Sequence, residues 1–413
     1  MFHIGTKKSA KHELEIKKGL KKISIFVAQN ELMDTLITDD FQVFLKPVGA
    51  RCNMRCSYCY YINKSDIYGS GMKSIMNDET LENCISQLFL ASSGNTVLFS
   101  WHGGEPLLAG VRFYEKVLSI QKKHAAQGKK FLNGIQTNGT LITKEWCGFF
   151  ATNGFIIGVS IDGPKVFHDV MRPTASKSGS FEKTLQGYNL LRTFGVKPEI
   201  LCVVNSHNVK YPLVVYDFFK KIGANYITFL PLVEKMEAGD TNMVSQTSVP
   251  ALAFGMFLST IFDEWVRNDI GVVKIQIFEE ALRTAFNQEH SLCIFRERCG
   301  GVPVIEHTGD FYPCDHYVEK DRSLGNINEQ PLTYFLKHPV QKTFGDLKLN
   351  TLPQYCIRCE VRNMCNGECP KNRFITSPDG EQGLNYLCEG YKYFFNHCKP
   401  FVQSVSAVWN TDN

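Results

Sequence analysis

The stretch Gly49-Ala-Arg-Cys52-Asn-Met-Arg-Cys56-Ser-Tyr58-Cys59-Tyr-Tyr61 is the most informative part of the chain. It places three cysteines in one short loop. A cube of four irons needs one ligand for each iron, so three thiolates leave one iron open to bind something else. A structural zinc loop is the alternative, but such sites usually close with four ligands and favour C-x2-C pairs. The stretch therefore predicts an iron–sulfur centre with an open coordination position.

Two further cysteine groups lie downstream. Of the 15 cysteines in 413 residues, 11 belong to these three groups. The second group is Cys293, Cys299 and Cys314, and the third is Cys356, Cys359, Cys365, Cys369 and Cys388. Together they make two complete sets of four, and fully ligated cubes serve electron transfer or structure. Two zinc sites remain the alternative, because C-x2-C-x5-C spacing also occurs in zinc domains.

The remaining cysteines stand singly in segments with strand or helix patterns. We expect them to pack in the core as small apolar side chains. They are Cys84, Cys147, Cys202 and Cys398.

Composition narrows the class of protein. Hydrophobic residues make up 44% of the chain and charged residues 21%, as in globular proteins. The formal net charge is +4, and clusters held by thiolates would add negative charge that offsets it. The protein with its clusters would then be near neutral, so we expect no nucleic-acid partner. No apolar run reaches about 18 residues, so we expect no membrane span. Thiols in metal-type spacings favour a reducing compartment, and we expect the cytoplasm of an organism, or a niche, low in oxygen.

Strand-like runs and amphipathic stretches alternate between residues 41 and 240. The runs are Gln42–Leu45, Thr96–Trp101, Gly134–Thr137, Ile156–Ile161, Glu199–Val204 and Tyr226–Leu230. This alternation predicts a parallel sheet with crossover helices, and six such units predict a partial (β/α)6 TIM-like barrel. Reactive groups in such α/β barrels sit on loops after the strands, and the first cysteine loop follows the first run.

After the barrel segment the regular alternation of strand-like and helical stretches ends, and the sequence becomes rich in cysteine. We expect a connecting helical segment over 241–290 and a small, loop-rich iron–sulfur domain over 291–400, opening with a hairpin over 298–315. Residues 1–40 are predicted to be an N-terminal extension, and 401–413 a C-terminal tail.

The spacing of Cys52, Cys56 and Cys59, with an aromatic Tyr58 before the last cysteine, resembles the signature of the radical S-adenosylmethionine (SAM) enzymes. The resemblance implies that the amine and carboxylate of SAM chelate the open iron. An electron from the cube would then break a C–S bond and yield a 5′-deoxyadenosyl radical.

The same resemblance implies further cofactor contacts. Gly103-Gly104-Glu105-Pro106 is similar to the motif that binds the methionyl amine, although a tight turn also explains two glycines. Ser160 and Arg172 would hold the ribose and the carboxylate, and Val233 would lie beside adenine. Asp162, near Ser160, has a helix cap or a turn as its alternative role. The implied cofactor residues are Tyr58, Gly104, Ser160, Arg172 and Val233.

The second and third cysteine groups resemble the SPASM pattern, which has seven cysteines, and Cys293 supplies an eighth. The resemblance implies two auxiliary [4Fe-4S] clusters, and so three in the whole chain. In the interleaved arrangement of that family, one set is Cys293, Cys299, Cys314 and Cys369, and the other is Cys356, Cys359, Cys365 and Cys388.

Four motifs narrow the likeness to the anaerobic sulfatase-maturating enzymes over residues 42–398. They are Lys46-Pro47-Val-Gly49, Gln136-Thr-Asn-Gly-Thr-Leu141, His168-Asp-Val-Met-Arg172 and Tyr312-Pro-Cys314-Asp315. Such enzymes convert a cysteine or serine of a sulfatase to Cα-formylglycine (3-oxoalanine). The implied partners are an unfolded sulfatase polypeptide with a Cys/Ser-x-Pro-x-Arg segment and a reduced flavodoxin or ferredoxin-like electron donor.

Asp315 matches the proposed base of that family. We expect negative charge at the neighbouring cluster to raise its pKa, as suits proton uptake, whereas a solvated turn aspartate is its alternative role. Two other functions stay open at this point. One is a sibling radical SAM/SPASM maturase that crosslinks or oxidises another ribosomal peptide, and the other is a non-catalytic electron carrier.

Overall fold

The computed structural model describes residues 41–68, 75–125, 128–236 and 243–412. The predicted N-terminal extension, 1–40, lies outside these residues. No helix in the described part of the chain is long and apolar enough to cross a membrane.

In the described ranges, ten strands form one sheet in the order β10-β9-β8-β1-β2-β3-β4-β5-β6-β7. Each neighbouring pair from β1 to β7 is parallel. The strands are β1 Phe44–Leu45, β2 Thr96–Trp101, β3 Lys130–Thr137, β4 Ile156–Ser160, β5 Glu199–Val204, β6 Tyr226–Pro231, β7 Lys274–Ile275, β8 Val304–Ile305, β9 Asp310–Tyr312 and β10 Gly325–Asn326. A separate antiparallel pair consists of β11 Arg373–Thr376 and β12 Gln382–Asn385.

Helices connect the parallel strands, as the alternating pattern predicts. Those of the barrel segment are α1 Asp78–Ala91, α2 Val111–Ala125, α3 Lys144–Asn153, α4 Lys165–Met171, α5 Phe181–Thr193 and α6 Pro212–Lys221. Local capping sets some of their ends: the side chain of Asn77 accepts from the backbone N–H of Thr80 at the start of α1, and Gly154 ends α3 in the left-handed conformation. The predicted α/β partial barrel is confirmed.

The second half of the chain adds α7 Ala251–Asn268, α8 Gln276–Arg283, α9 Leu332–Leu336, α10 Pro339–Asn350, α11 Gln354–Ile357, α12 Arg362–Cys365 and α13 Cys388–Asp412. The helix α13 continues through the residues predicted as a C-terminal tail. It packs closely on α7 at Gly390, where a Cβ would overlap the carbonyl oxygen of Ala251.

The sheet extends past the six predicted strands at both edges. The short strand β7 lies within the segment predicted to be helical, and two residues are too few to give a strand pattern. The predicted hairpin is present as β8 and β9, and β8 pairs parallel with β1. Since this pairing carries the sheet across residue 291, the division at that point stays a prediction.

Candidate active site

The three-cysteine loop follows β1 and is held by backbone contacts to the segment after α4. The N–H of Arg55 donates to the carbonyl of Pro173 at 3.0 Å, and the N–H of Ser57 donates to that of Met171 at 2.9 Å. This pairing brings the cysteines beside Arg172, as the resemblance requires. Burial, together with the nearby charges of Glu105, Cys56 and Cys59, raises the pKa of Cys52 to about 11, so these thiols lie close to one another.

The glycines after β2 fit against the cysteine loop. The N–H of Gly104 donates to the carbonyl of Gly49 at 2.8 Å, and the N–H of Glu105 donates to that of Arg51 at 2.9 Å. A Cβ on Gly104 would overlap the carbonyl oxygens of Ala50 and Arg51. Close backbone approach to the loop therefore explains the glycine, and any contact of Gly104 with SAM is a further role.

Glu105 joins this region to the end of β3. Its carboxylate accepts from the N–H of Leu107 at 3.0 Å, the N–H of Asn138 at 2.8 Å and the hydroxyl of Thr137 at 2.8 Å. Burial raises the pKa of Glu105 to about 7, and these donors oppose the rise. Asn138 in turn donates to Asn53 at 2.9 Å, so the Gln136–Leu141 motif fixes the cysteine loop.

Tyr58 lies between Arg172 and Asp162. Its hydroxyl donates to Asp162 Oδ2 at 2.6 Å and accepts from Arg172 Nη1 at 2.6 Å. Asp162 also accepts from the N–H of Val203, and the N-cap of α4 is Pro164, so Asp162 is not the cap of that helix. Arg172 Nε is buried without a hydrogen-bond partner among the described residues. A buried guanidinium with a spare donor suits a carboxylate ligand.

Two other implied cofactor residues lie at or just beyond the carboxyl ends of strands. Ser160 ends β4, and its hydroxyl accepts from Gln136 Nε2 at 3.0 Å. Val233 follows β6 and is 9% exposed, within the apolar core. Since β4 and β6 are parallel, both residues lie at the same edge of the sheet as Arg172 and the cysteine loop.

Asp315 forms an ion pair with a lysine that the sequence analysis did not single out. Lys46 Nζ lies 2.5 Å from Asp315 Oδ1, and the Tyr60 hydroxyl donates to Oδ2. The expectation of a raised pKa at Asp315 is wrong. Burial raises this pKa, but the charge of Lys46 and hydrogen bonds from Lys46 and Tyr60 outweigh burial, and the pKa falls below its usual value. Asp315 is buried, so it is not a solvated turn residue.

The other eight patterned cysteines separate into two neighbourhoods. Burial raises the pKa of these thiols, and in most of them a nearby thiolate raises it further, which shows which cysteines are neighbours. Cys314 neighbours Cys369 and Cys293, and Cys293 also neighbours Cys369 and Cys299. Cys388 neighbours Cys356, Cys359 and Cys365. The assignment of Cys293, Cys299, Cys314 and Cys369 to one cluster, and of Cys356, Cys359, Cys365 and Cys388 to another, stays a prediction.

The four single cysteines, Cys84, Cys147, Cys202 and Cys398, are fully buried, as predicted. Among residues 41–68, 75–125, 128–236 and 243–412, no three His, Cys, Asp or Glu side chains are grouped so that they would hold one metal ion.

Three residues near these sites were missed from the sequence. Lys46 belongs to the Lys46–Gly49 motif. Its unusual property is that the side chain is only 1% exposed, which is rare for a lysine. Lys348 donates to the carbonyl of Cys293, and Arg373 donates to the three carbonyls between Cys365 and Cys369. Both are basic residues that lie near buried cysteines in space, and a single sequence does not reveal that proximity.

Comparison with known proteins agrees with this geometry. Residues 47–211 match the radical SAM superfamily, and residues 293–360 match an iron–sulfur cluster-binding domain. The fold and the site thus define a radical SAM enzyme with a SPASM domain. Native anSMEcpe with bound AdoMet superposes with a TM-score of 0.80 at 31% identity, over 88% of this chain and 99% of that one. SuiB of Streptococcus suis, at 14% identity and a TM-score of 0.58, shares the fold alone.

Curated relatives narrow the class. The serine-type anaerobic sulfatase-maturating enzyme of Bacteroides thetaiotaomicron is 44% identical over 372 residues, which cover 87% of this chain and 90% of the relative. The cysteine-type enzyme of Clostridium perfringens is 32% identical over 368 residues, covering 88% and 98%. The chain belongs to the anaerobic sulfatase-maturating enzymes, and the predicted family is confirmed.

Proposed function

We propose that this chain oxidises a serine or cysteine in a sulfatase peptide to Cα-formylglycine, and that Asp315 takes the side-chain proton. One observation carries the proposal: Tyr60, next to Cys59, donates to Asp315, which is next to Cys314. The carboxylate therefore lies between the first thiolate set and the second. A substrate side chain at this point would be near both.

The residues of the first site suit SAM. Cys52, Cys56 and Cys59 would hold a [4Fe-4S] cluster, and Arg172 has a spare buried donor for the SAM carboxylate. Gly104 would face the methionyl amine, Ser160 the ribose and Val233 the adenine, and Tyr58 would keep Arg172 oriented through its hydrogen bond. When bound, this cofactor pair supplies the group that removes a hydrogen atom from the substrate carbon.

Asp315 is suited to accept a proton because Lys46 favours its ionised form at neutral pH. A carboxylate that is already ionised can take the proton from a hydroxyl or thiol as the side chain is oxidised. Tyr60 donates to Oδ2 and so fixes the orientation of the carboxylate.

The two sets of four cysteines would hold auxiliary [4Fe-4S] clusters, which makes three clusters in all. Such clusters would accept the electron that the substrate loses. Two solved anSMEcpe structures hold AdoMet together with the peptide Cp18Cys or Kp18Cys. We infer that this chain also takes its substrate as an extended, unfolded segment of the Cys/Ser-x-Pro-x-Arg type. A reduced flavodoxin or ferredoxin-like donor would supply electrons, and cysteines in metal-type spacings suit a reducing compartment such as the cytoplasm.

The test is an anaerobic assay of the reconstituted protein with SAM, a reductant and a short peptide. Matched peptides would carry Ser-x-Pro-x-Arg or Cys-x-Pro-x-Arg, with an alanine peptide as the control. Mass spectrometry should find loss of two hydrogens from serine. From cysteine it should find the same loss of two hydrogens together with exchange of the sulfur for an oxygen from water, the sulfur leaving as hydrogen sulfide. The serine peptide is assayed first because the relative at 44% identity is serine-type. Cofactor cleavage with both peptides unchanged would refute the substrate assignment.

A further inference from the structure

Two cations, one buried and one partly buried, lie among the cysteines of the second half of the chain. Lys348, on α10, is fully buried, and its Nζ donates to the carbonyls of Cys293 at 2.9 Å and Ile294 at 2.7 Å. Arg373, at the start of β11, donates to the carbonyl of Lys348. Buried cations are rare unless something compensates them, so this pair calls for an explanation.

Arg373 also binds the segment that joins the two thiolate sets. Residues 366–368, which we call the bridge loop, run from Cys365 of one set to Cys369 of the other. The guanidinium donates to all three carbonyls of the bridge loop, at 2.9 Å to Asn366, 2.8 Å to Gly367 and 3.2 Å to Glu368. One side chain thus contacts the whole connection.

The bridge loop has an unusual backbone that needs such support. Its φ angles are +47° at Asn366, +70° at Gly367 and +52° at Glu368. Left-handed conformations at non-glycine residues persist only where the surroundings fix them. The Glu368 carboxylate is fixed as well, since it accepts from Asn372 at 3.0 Å and Asn385 at 2.6 Å.

Hydrogen bonds place each cation relative to the two sets of cysteines. Arg373 binds the loop that joins Cys365 of one set to Cys369 of the other. Lys348 donates to the carbonyl of Cys293, which belongs to one set only. Arg373 is therefore close to both sets, and Lys348 is close to one of them.

We propose that Arg373, reinforced by Lys348, raises the reduction potential of the clusters that the two thiolate sets hold. This inference rests on the proposed function, because it takes those cysteines as cluster ligands. A cluster becomes more negative when it gains an electron, and a buried cation stabilises that added charge strongly where the dielectric is low. A higher potential makes these clusters better acceptors.

The electron balance of the reaction shows why this matters. Oxidation of the substrate side chain releases two electrons and two protons. One electron and one proton leave together as a hydrogen atom, the second proton goes to Asp315, and the second electron goes to an auxiliary cluster. The cations would favour that last transfer.

The test is a redox titration followed by electron paramagnetic resonance. A background of Cys52→Ala, Cys56→Ala and Cys59→Ala leaves only the signals of the second half of the chain. Arg373→Met should lower the equilibrium constant for reducing at least one cluster tenfold or more, which is about 59 mV for one electron. Arg373→Lys, which keeps the charge, should stay near the parent value. Lys342→Met, an exposed lysine on the same helix as Lys348, is the control and should not shift it.

A second variant covers the case in which Arg373→Met fails to assemble. Lys348→Met should lower the potential of one cluster and leave the other unchanged. Variants with full iron content and parental potentials would overturn the inference, as would an Arg373→Lys shift equal to that of Arg373→Met. If the background protein binds no iron at all, the ligand assignment fails instead, and the two failures are thus distinguishable.

Discussion

Lys46 Nζ and Asp315 Oδ1 lie 2.5 Å apart, and this ion pair joins the residue after the first barrel strand to the residue after Cys314. Both side chains are nearly inaccessible, at 2% and 11% exposed. The pair therefore fixes a buried carboxylate at the place where the two halves of the site meet. It also keeps that carboxylate ionised, which is the form that a base requires.

Replacing Asp315 with asparagine should remove proton transfer while keeping the shape of the side chain. Loss of a positioned base typically costs about 10²–10⁴-fold in rate, so peptide oxidation by Asp315→Asn should fall by that order. Cleavage of SAM without peptide should continue at the parental rate, since it does not use Asp315. The exposed Asp321→Asn is the matched control. Peptide oxidation near the parental rate would mean that another group is the base.

Removing Lys46 should leave an uncompensated buried charge. Breaking one partner of a buried ion pair costs about 3–5 kcal/mol, so Lys46→Met should lower the midpoint of anaerobic thermal unfolding clearly. The double variant Lys46→Met/Asp315→Asn should recover much of this loss, because neither charge then remains. As a control, Lys116→Met breaks an exposed pair with Asp78 and should cost no more than about 1 kcal/mol. Equal losses in the single and double variants would argue against a coupled pair.

A side chain at Gly104 should displace the cysteine loop. Because its Cβ would overlap the carbonyls of Ala50 and Arg51, Gly104→Ala should lower the iron content by one cluster and abolish SAM cleavage. Gly148→Ala is the control: this glycine lies inside α3 with open space around its Cβ position, and alanine there should be neutral or stabilising by up to about 1 kcal/mol. Full iron and normal cleavage in Gly104→Ala would show that the loop adjusts freely.

Replacing one oxygen of the Glu105 carboxylate by an NH₂ group should lower the stability of the folded protein. Both of its oxygens accept hydrogen bonds, so the amide NH₂ of Glu105→Gln would face a donor. A buried mismatch of this kind costs about 1–3 kcal/mol, and thermal unfolding should report it. The exposed Glu115→Gln on α2 should leave the unfolding midpoint in place. Parental stability in Glu105→Gln would imply that the carboxyl is protonated in the folded protein.

Much of the fold and of the metal chemistry can be predicted from the sequence, because both depend on patterns among residues close together in the chain. The spacing of Cys52, Cys56 and Cys59 lies within one short loop and can be recognised there. The parallel strands can be predicted because strand-like runs alternate with amphipathic helices. Contacts between distant segments were not readable. Lys46 and Asp315 meet only because β1 pairs with β8, and no local pattern encodes that pairing. For the same reason the low pKa of Asp315 was missed.

Arg373 illustrates the same limit in the second half. Its position close to both thiolate sets follows from the left-handed bridge loop, whose Asn366 and Glu368 are not residues that predict such a backbone with certainty. The length of α13 was also missed, since Pro400 within it normally indicates a helix end.

The catalytic account depends on an open iron in the cluster that Cys52, Cys56 and Cys59 would hold. Its most direct measurement is electron–nuclear double resonance of the reduced, reconstituted protein with SAM isotopically labelled in its amine and carboxylate groups. The account predicts magnetic coupling between the cluster and both labels, and its loss when Cys52, Cys56 and Cys59 are replaced by alanine. A reduced cluster that shows no coupling to either label, or a zinc ion bound in its place, would contradict the account.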